Sequence, residues 1–196
     1  MSDNLAKILD SDFAAIRPRV GLSTDAAVVL GDCTKTPDAL QRLEDGGFLV
    51  EAARLVAHAL PRREAVWWAC MCAVHTAPSD LPENDRMARE LAENWVRQQT
   101  DKIRREAMGK AEAADFASPE AWAAVAAFWS GDSMAPEGQA AVPPPPHLCG
   151  TAVAGAVVLA AVRGDPLRQP ARLKRFLESG RNIAAGGPGR LLPEDP

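Results

Sequence analysis

The chain of 196 residues carries 26 acidic and 22 basic side chains, which give a net charge of −4 and an isoelectric point near 5.4. This balance lacks the basic surface that neutralising phosphates requires, so we expect no nucleic-acid partner. Alanine supplies much of the apolar share, tyrosine is absent, and runs of β-branched residues are short. Because alanine favours helices whereas strands favour β-branched and aromatic residues, the composition predicts an all-α protein.

The length and the helix signals predict one domain. We expect six or seven helices in a bundle of antiparallel helix pairs, with a short solenoid-like stack as the second choice because no internal repeat supports it. Residues 1–35 are interpreted as an N-terminal extension with a short helix and residues 36–185 as the helical domain. Residues 186–196 are rich in Gly and Pro and are interpreted as a flexible tail.

Two helix starts are clearly marked. Thr36-Pro37-Asp38 and Ser118-Pro119-Glu120 each combine a capping hydroxyl, a proline at the first helical position and an acid in the first turn. The first of these helices is expected to end at Gly46-Gly47. A second helix, "FLVEAARLVAHAL", follows directly.

The stretch "LPRREAVWWACMCAV" places two arginines, Arg62 and Arg63, ahead of ten apolar residues. An arginine pair before an apolar run is typical of an export signal, but such a signal occupies the extreme N-terminus, and a membrane span needs about twenty apolar residues. Residues 152–162 form a second apolar run that is also too short. Both segments are therefore predicted to be buried helices of a protein that does not insert into a membrane. Pro61 is expected to begin the first one.

A long helix is predicted from about residue 83 to residue 114. Its first half has an apolar face, whereas its second half, "DKIRREAMGKAEAAD", is charged almost all round and is expected to face solvent or a partner. The pairs Glu93–Arg97 and Asp101–Arg105 have the i,i+4 spacing of helix ion pairs. From this pattern and from the arginine pair, candidate protein-binding residues are proposed, namely Arg62, Arg63, Arg97, Arg104 and Arg105.

The rest of the chain predicts a tryptophan-rich helix ending near Gly131 and a last helix pair over residues 150–163 and 169–183. Between them lies a stretch that cannot be helical, because prolines 143–146 lack amide donors. It is interpreted as a rigid crossover, with a ligand for an aromatic groove as the alternative.

No catalytic or metal-binding constellation is evident. Cys72 and His75 share a helix face, but Cys70 points away from it, so these residues do not form a metal site on a regular helix. The glycines of the tail lack the lysine and the strand-to-helix context of a phosphate loop. We therefore predict no catalytic, cofactor or metal site. Four cysteines without a disulfide spacing indicate reduced thiols and a cytoplasmic location.

Three segments resemble an uncharacterised family of bacterial proteins: "LPRREAVWWACMCA", "SPEAWAAVAAFWSGDSMAPEGQAAVPPPP" and "RFLESGRNIAAGG". Members of that family are often labelled as twin-arginine signal proteins because of the arginine pair. The resemblance extends from about Asp38 onward and implies an association with type VI secretion spike loci. The partner that it implies is a spike component, a PAAR tip or an effector.

The leading hypothesis is a non-enzymatic cytosolic interaction protein, an adaptor or chaperone in loading a type VI secretion spike or effector. The alternative is a helical enzyme or small-ligand-binding protein with a site between helices, near Trp67, Trp68 and His75. Cys72 and Glu64 would be further members of that site. A third hypothesis is a structural subunit of a larger assembly.

Overall fold

The computed structural model describes residues 5–8 and 12–194. Within these residues the chain contains ten α-helices and one short 3-10 turn, Pro166–Arg168, and no β-strand. In chain order the helices are α1 Phe13–Val20, α2 Thr24–Leu30, α3 Thr36–Asp45, α4 Leu49–Ala59, α5 Arg62–His75, α6 Glu83–Gln98, α7 Asp101–Ala113, α8 Pro119–Trp129, α9 Leu148–Val162 and α10 Gln169–Ala184. The all-α prediction is confirmed.

The predicted number of six or seven helices is wrong for two reasons. First, the N-terminal region contains two short helices, α1 and α2, which begin where Asp12 and Ser23 accept hydrogen bonds from main-chain amides. Second, the long helix predicted from residue 83 to residue 114 is divided, because Gln99 adopts a left-handed conformation (φ 51°). Thr100 then caps α7 by accepting a hydrogen bond from the amide of Ile103.

The described part of the N-terminal region packs onto the rest of the molecule. Phe13, Ile16 and Leu30 are fully or almost fully buried in the common core. Residues 1–4 and 9–11, on which the predicted N-terminal pattern partly falls, lie outside the described residues. In this region α1 packs against α4, and α2 packs against α3.

Helices α5 and α9 form the centre of the molecule. α5 packs against α6, α8, α9 and α10, and α9 also packs against α4 and α8. The residues predicted to fill the core from α5 are buried almost throughout, and Trp68 is the largest fully buried side chain. Small residues let the helices approach closely, since a Cβ added at Gly180 would lie 2.9 Å from Val56 Cγ1. A Cβ at Gly150 would overlap the ring of His58.

The proline-rich crossover connects α8 to α9 without helical structure. Its first part closes on itself, because the Met134 amide donates to Val142 O at 2.7 Å and Ser133 Oγ accepts from the Val142 amide at 3.0 Å. Pro144 is buried, whereas the other three prolines of the run are exposed. The crossover is therefore held at both ends, by this loop and by α9.

No single helix in the described part of the chain is long and apolar enough to cross a membrane. One pair of helical segments, Leu148–Val162 and Pro166–Ala184, reaches the length and composition of a span together but is bent by 115°.

Candidate functional site

The N-terminal end of α5 is fastened to two other helices by its arginine pair. Arg63 Nε donates to Val96 O at 2.8 Å, in the last turn of α6, and Arg62 Nη1 donates to Ser130 O at 3.3 Å, at the end of α8. The last carbonyl groups of a helix lack partners within the helix and carry the negative end of its dipole. The arginine pair thus caps two helix ends while both side chains remain exposed.

A recess of about 260 Å³ opens beside this arginine pair. It is lined by Arg63, Arg97 and the partly buried Trp67, together with Lys7 and Glu64, which are paired at 3.2 Å. The structure therefore brings together two of the arginines that the sequence singled out, one from α5 and one from α6, in the same recess as a tryptophan. Arg97 is exposed, with 64% of its side chain accessible and a 3.6 Å contact to Glu93.

Arg104 and Arg105 are placed differently. Only 2% of Arg104 is exposed, and its guanidinium donates to Phe128 O at 3.2 Å, lies 5.1 Å from the centre of the Phe128 ring and pairs with Asp101. Arg105 donates to the same aspartate at 2.6 Å. The second half of the predicted long helix does not project from the molecule, because α7 folds back to pack against α6 and α8. Arg104 consequently serves packing within the chain.

The C-terminal end of α5 carries a second polar cluster, built around His75. Only 4% of His75 is exposed, and its ring meets Phe176 of α10 edge-on at 5.7 Å between centroids. Nδ1 donates to Leu192 O, and the His75 carbonyl accepts a 2.8 Å hydrogen bond from the Glu194 amide. Nε2 is buried and has no hydrogen-bond partner among the described residues. This histidine therefore holds a segment that follows α10.

The held segment, residues 187–194, is called the strap below. It falls within the predicted flexible tail, and its described residues contain no helix or strand. The strap nevertheless has defined contacts at its other end as well: Trp67 Nε1 donates to Pro188 O at 2.7 Å, and Ser179 Oγ donates to Gly189 O at 2.5 Å. It follows the groove between α5 and α10, from Trp67 to His75. Residues 195–196 lie outside the described residues.

A glutamate at the far end of the strap is held by arginines. Nε of Arg172 lies 3.1 Å from a carboxylate oxygen of Glu194, Nη2 contacts the other oxygen, and Arg168 approaches to 3.4 Å. The hydrogen bonds from Arg172 and the positive charges around Glu194 lower the pKa of its carboxyl group. Arg172 is itself almost fully buried and donates to Ala161 O at 3.1 Å and to Arg163 O at 2.5 Å, at the end of α9.

A second buried ion pair lies close to this cluster. Glu120, in the first turn of α8, has no exposed surface and receives both terminal nitrogens of Arg163, which follows α9. The sequence marked Glu120 only as a helix-start acid. Neither this pair nor the cluster of His75, Arg172 and Glu194 was found from the sequence, because no local spacing connects partners more than twenty residues apart.

The four cysteines are unsuited to nucleophilic chemistry. All are buried and free, and burial raises the pKa of Cys70, Cys72 and Cys149. In the described residues, no group of three or more His, Cys, Asp or Glu side chains could hold a metal ion. The residues of the alternative ligand site are brought together only in part. Trp67 and Glu64 line the same recess, whereas His75 lines a different pocket. Trp68 is fully buried, with Nε1 donating to Phe176 O.

Comparison with known sequences identifies one family. The sequence profile of a family of unknown function (DUF6931) matches residues 39–184, which is well over half of the chain. The match includes both ends of α5 and the arginine of the carboxylate cluster, but it stops before the strap. No curated protein and no solved structure matches the chain.

Proposed function

We propose a binding role without catalysis for this chain, which belongs to the family of unknown function DUF6931. In this proposal the chain is a cytoplasmic adaptor or chaperone that uses the recess beside Trp67 to bind an acidic surface of a protein partner. The observation that carries the proposal is the lining of that recess, to which Arg63, Arg97 and a partly buried tryptophan all contribute.

The recess has the chemistry of a protein contact. Tryptophan and arginine are the residue types that most often dominate binding energy at protein interfaces, because they combine a large apolar area with directional donors. Val96 O takes only the Nε donor of Arg63, and Arg97 is largely exposed. With Lys7 at the rim, cations outnumber the single acid, Glu64, in the lining. This excess of positive charge favours an acidic partner.

The state of the thiols supports binding over catalysis. A nucleophilic cysteine needs a lowered pKa and access to substrate, whereas these thiols are buried and the shifts of three of them go upward. The hypothesis of a small-ligand site that includes Trp68 is weakened, because the side chain of Trp68 is fully buried and cannot contact a ligand.

The proposed partner follows from the resemblance described above, which implies type VI secretion spike loci. We propose a spike-tip protein, a PAAR tip or an effector as the bound protein. The chain would hold such a component in the cytoplasm before it is loaded.

A charge-reversal experiment tests this role. The variant Arg97→Glu is compared with Arg86→Glu, a matched control on the same helix. Arg86 also pairs with a glutamate, Glu90, at 2.6 Å, as Arg97 does with Glu93. The affinities of the wild type and both variants are measured for a purified spike-tip protein, PAAR tip and effector from the same organism. We expect a loss of about tenfold or more for Arg97→Glu and little change for Arg86→Glu. Equal losses in both variants, or no binding of any of the three proteins by the wild type, would rule the proposal out.

A further inference from the structure

The strap is bound mainly through its main chain. Its groups at Pro188, Gly189, Leu192 and Glu194 form hydrogen bonds with side chains or main chain of the helical body. The Gly189 amide also donates to Asn182 Oδ1 at 2.8 Å. Because main-chain groups are the same in every residue, this form of recognition accepts other extended sequences.

Two side chains of the strap also contact the helical body. Leu191 packs against the core, and the carboxylate of Glu194 is recognised by its charge. Arg172, which binds this carboxylate, is also held by hydrogen bonds to the carbonyl groups of Ala161 and Arg163, neither of which belongs to the strap. The planar guanidinium presents two donors to the two carboxylate oxygens, a geometry that favours a carboxylate over a neutral amide. We call Arg168, Arg172 and His75 the cradle.

The strap leaves one buried polar atom of its binding site unpaired and some apolar surface beside the site uncovered. A carbonyl oxygen only accepts hydrogen bonds, so the contact with Leu192 O places a proton on Nδ1 of His75. Nε2 is buried and has no hydrogen-bond partner in the part of the chain that the structure describes. Apolar surface also remains uncovered beside the cradle, since Leu192 is 81% and Leu167 88% exposed. A buried unpaired polar atom and exposed leucines both cost free energy that a better-fitting segment would recover.

Two pockets beside the strap, and the positive charge of the residues that line them, favour a bound segment other than the strap. A pocket of about 620 Å³ lies between the strap and α10, and another of about 390 Å³ lies beside Arg168 and Leu167. Without the strap, the residues lining these two pockets carry three arginines and one acid, Glu178. The excess positive charge selects a negatively charged segment.

We propose that the groove between α5 and α10 is a binding site for an extended, carboxylate-bearing segment of a partner protein, and that the strap occupies this site as an intramolecular stand-in. The partner places a Glu or Asp in the cradle and covers Leu167. Since a tethered strap competes at an effective concentration on the order of millimolar, the partner binds only when it outcompetes or dislodges the strap. The strap thereby sets the affinity of the site.

The cradle is separate from the recess beside Trp67, because it lies at the opposite end of α5, although the other end of the strap contacts Trp67. Arg97 lines none of the pockets around His75. The Arg97→Glu variant therefore leaves binding of a carboxylate in the cradle unchanged. Each of the two proposals can thus fail while the other stands.

The strap can be unseated without changing the cradle. Gly189 has φ +55°, and a Cβ there would overlap Ile183 and lie 3.0 Å from Ser179 O. Gly189→Ala therefore prevents the strap from seating. Gly138→Ala is the matched control, because Gly138 has φ +81° but its Cβ would meet nothing within 4 Å, in a loop distant from the strap in sequence.

The test measures binding of an amidated, labelled peptide, GPGRLLPE, to full-length protein. We expect Gly189→Ala to bind this peptide about tenfold or more tightly than the wild type and Gly138→Ala do. The corresponding peptide with Gln in place of Glu is expected to bind about threefold to fivefold more weakly to Gly189→Ala. Glu194→Gln, which weakens the strap without a change in backbone, is a second variant and should also increase binding of the Glu peptide.

Three results would overturn the inference. Equal peptide binding by the wild type, Gly189→Ala and Glu194→Gln would make the strap a fixed part of the fold. Equal binding of the Glu and Gln peptides would remove the cradle as a carboxylate receptor. A wild-type dimer in light scattering that dissociates in Glu194→Gln would assign the site to the strap of a second copy instead of to a different protein.

Discussion

Two glutamates in this molecule are each bound by the two-pronged guanidinium group of an arginine, yet they differ in what carries them. Glu120 belongs to the first turn of α8 and has no exposed surface, whereas Glu194 belongs to the strap, and 17% of its side chain is exposed. The two sites are neighbours, since Arg172 donates to the carbonyl of Arg163. The free-energy cost of breaking the ion pair therefore differs between the two sites, because only the carboxylate of Glu194 can bind water instead.

The alternative states explain this difference. If its pair is broken, Glu120 stays enclosed by α8 and its neighbours, and the uncompensated charge carries its full desolvation cost. Glu194 instead leaves with the strap and is hydrated again, so only the difference between pairing and hydration is lost. A buried pair on a helix is thus a structural requirement, whereas a pair on a loop is suited to exchange.

The largest predicted effect comes from removing the arginine of the helical pair. Arg163→Leu leaves Glu120 buried without its cation, and we expect the free energy of unfolding to fall by about 3 to 5 kcal/mol. Urea unfolding followed by tryptophan fluorescence measures this loss. The double variant Glu120→Gln/Arg163→Leu should recover part of it, because the stranded charge is gone. A loss below about 1 kcal/mol for Arg163→Leu would contradict the distinction between the two pairs.

A loss of stability at acidic pH is predicted to be intermediate in size. It comes from His58 and has to be separated from the effects of the two glutamate–arginine pairs. Burial, followed by the charges of Arg19 and His147, lowers the pKa of His58 to about 4 from 6.5. The unfolded chain therefore binds more protons between these values, and stability decreases as pH falls through this range. Allowing for partial exposure, we expect a loss of about 1 to 2 kcal/mol between pH 7 and pH 4 in the wild type. The same titration of His58→Gln should lack this loss, and an unchanged loss would assign it to other groups.

The smallest effect is predicted for the strap pair, in Glu194→Gln. Since Glu194 can return to water, we expect a loss of about 1 kcal/mol or less at pH 7. The pKa of Glu194 is lowered in the folded state, so its contribution is present above the ordinary glutamate pKa and disappears as pH falls through the folded value. The free energy of unfolding is therefore measured against pH for His58→Gln and for His58→Gln/Glu194→Gln. The two curves should converge at acidic pH. A loss as large as that of Arg163→Leu would show that the strap is as fixed as α8.

The sequence predicted the parts of the fold that depend on local chemistry. Ser118 caps α8 by accepting a hydrogen bond from the amide of Ala121, and α3 ends before Gly46-Gly47, both as expected. It did not predict the break at Gln99, because strong helix formers surround that residue. Thr100-Asp101 carried a cap signal that could have located the break.

The candidate sites show the same division. Arg63 and Arg97 were chosen singly for their charge, but their shared recess with Trp67 depends on how α5 packs against α6. Arg104 was chosen for the same reason and lies inside the molecule. The Gly and Pro content of residues 186–196 predicted a flexible tail and gave no sign of the contacts that the strap makes with α5 and α10.

By itself the sequence determined the helical class, most helix boundaries and the burial of the segment after the arginine pair, because propensity, capping and hydrophobic length act within a few residues. Only the tertiary structure decided which charged side chains are exposed, which form buried ion pairs and which bind the carboxylate of the strap. The carboxylates of Glu120 and Glu194 are alike in chemistry, but their arginines lie 43 and 22 residues away along the chain. Such partners are joined only when α8, α9 and α10 pack, so no local pattern could reveal which glutamate is fixed and which is able to exchange.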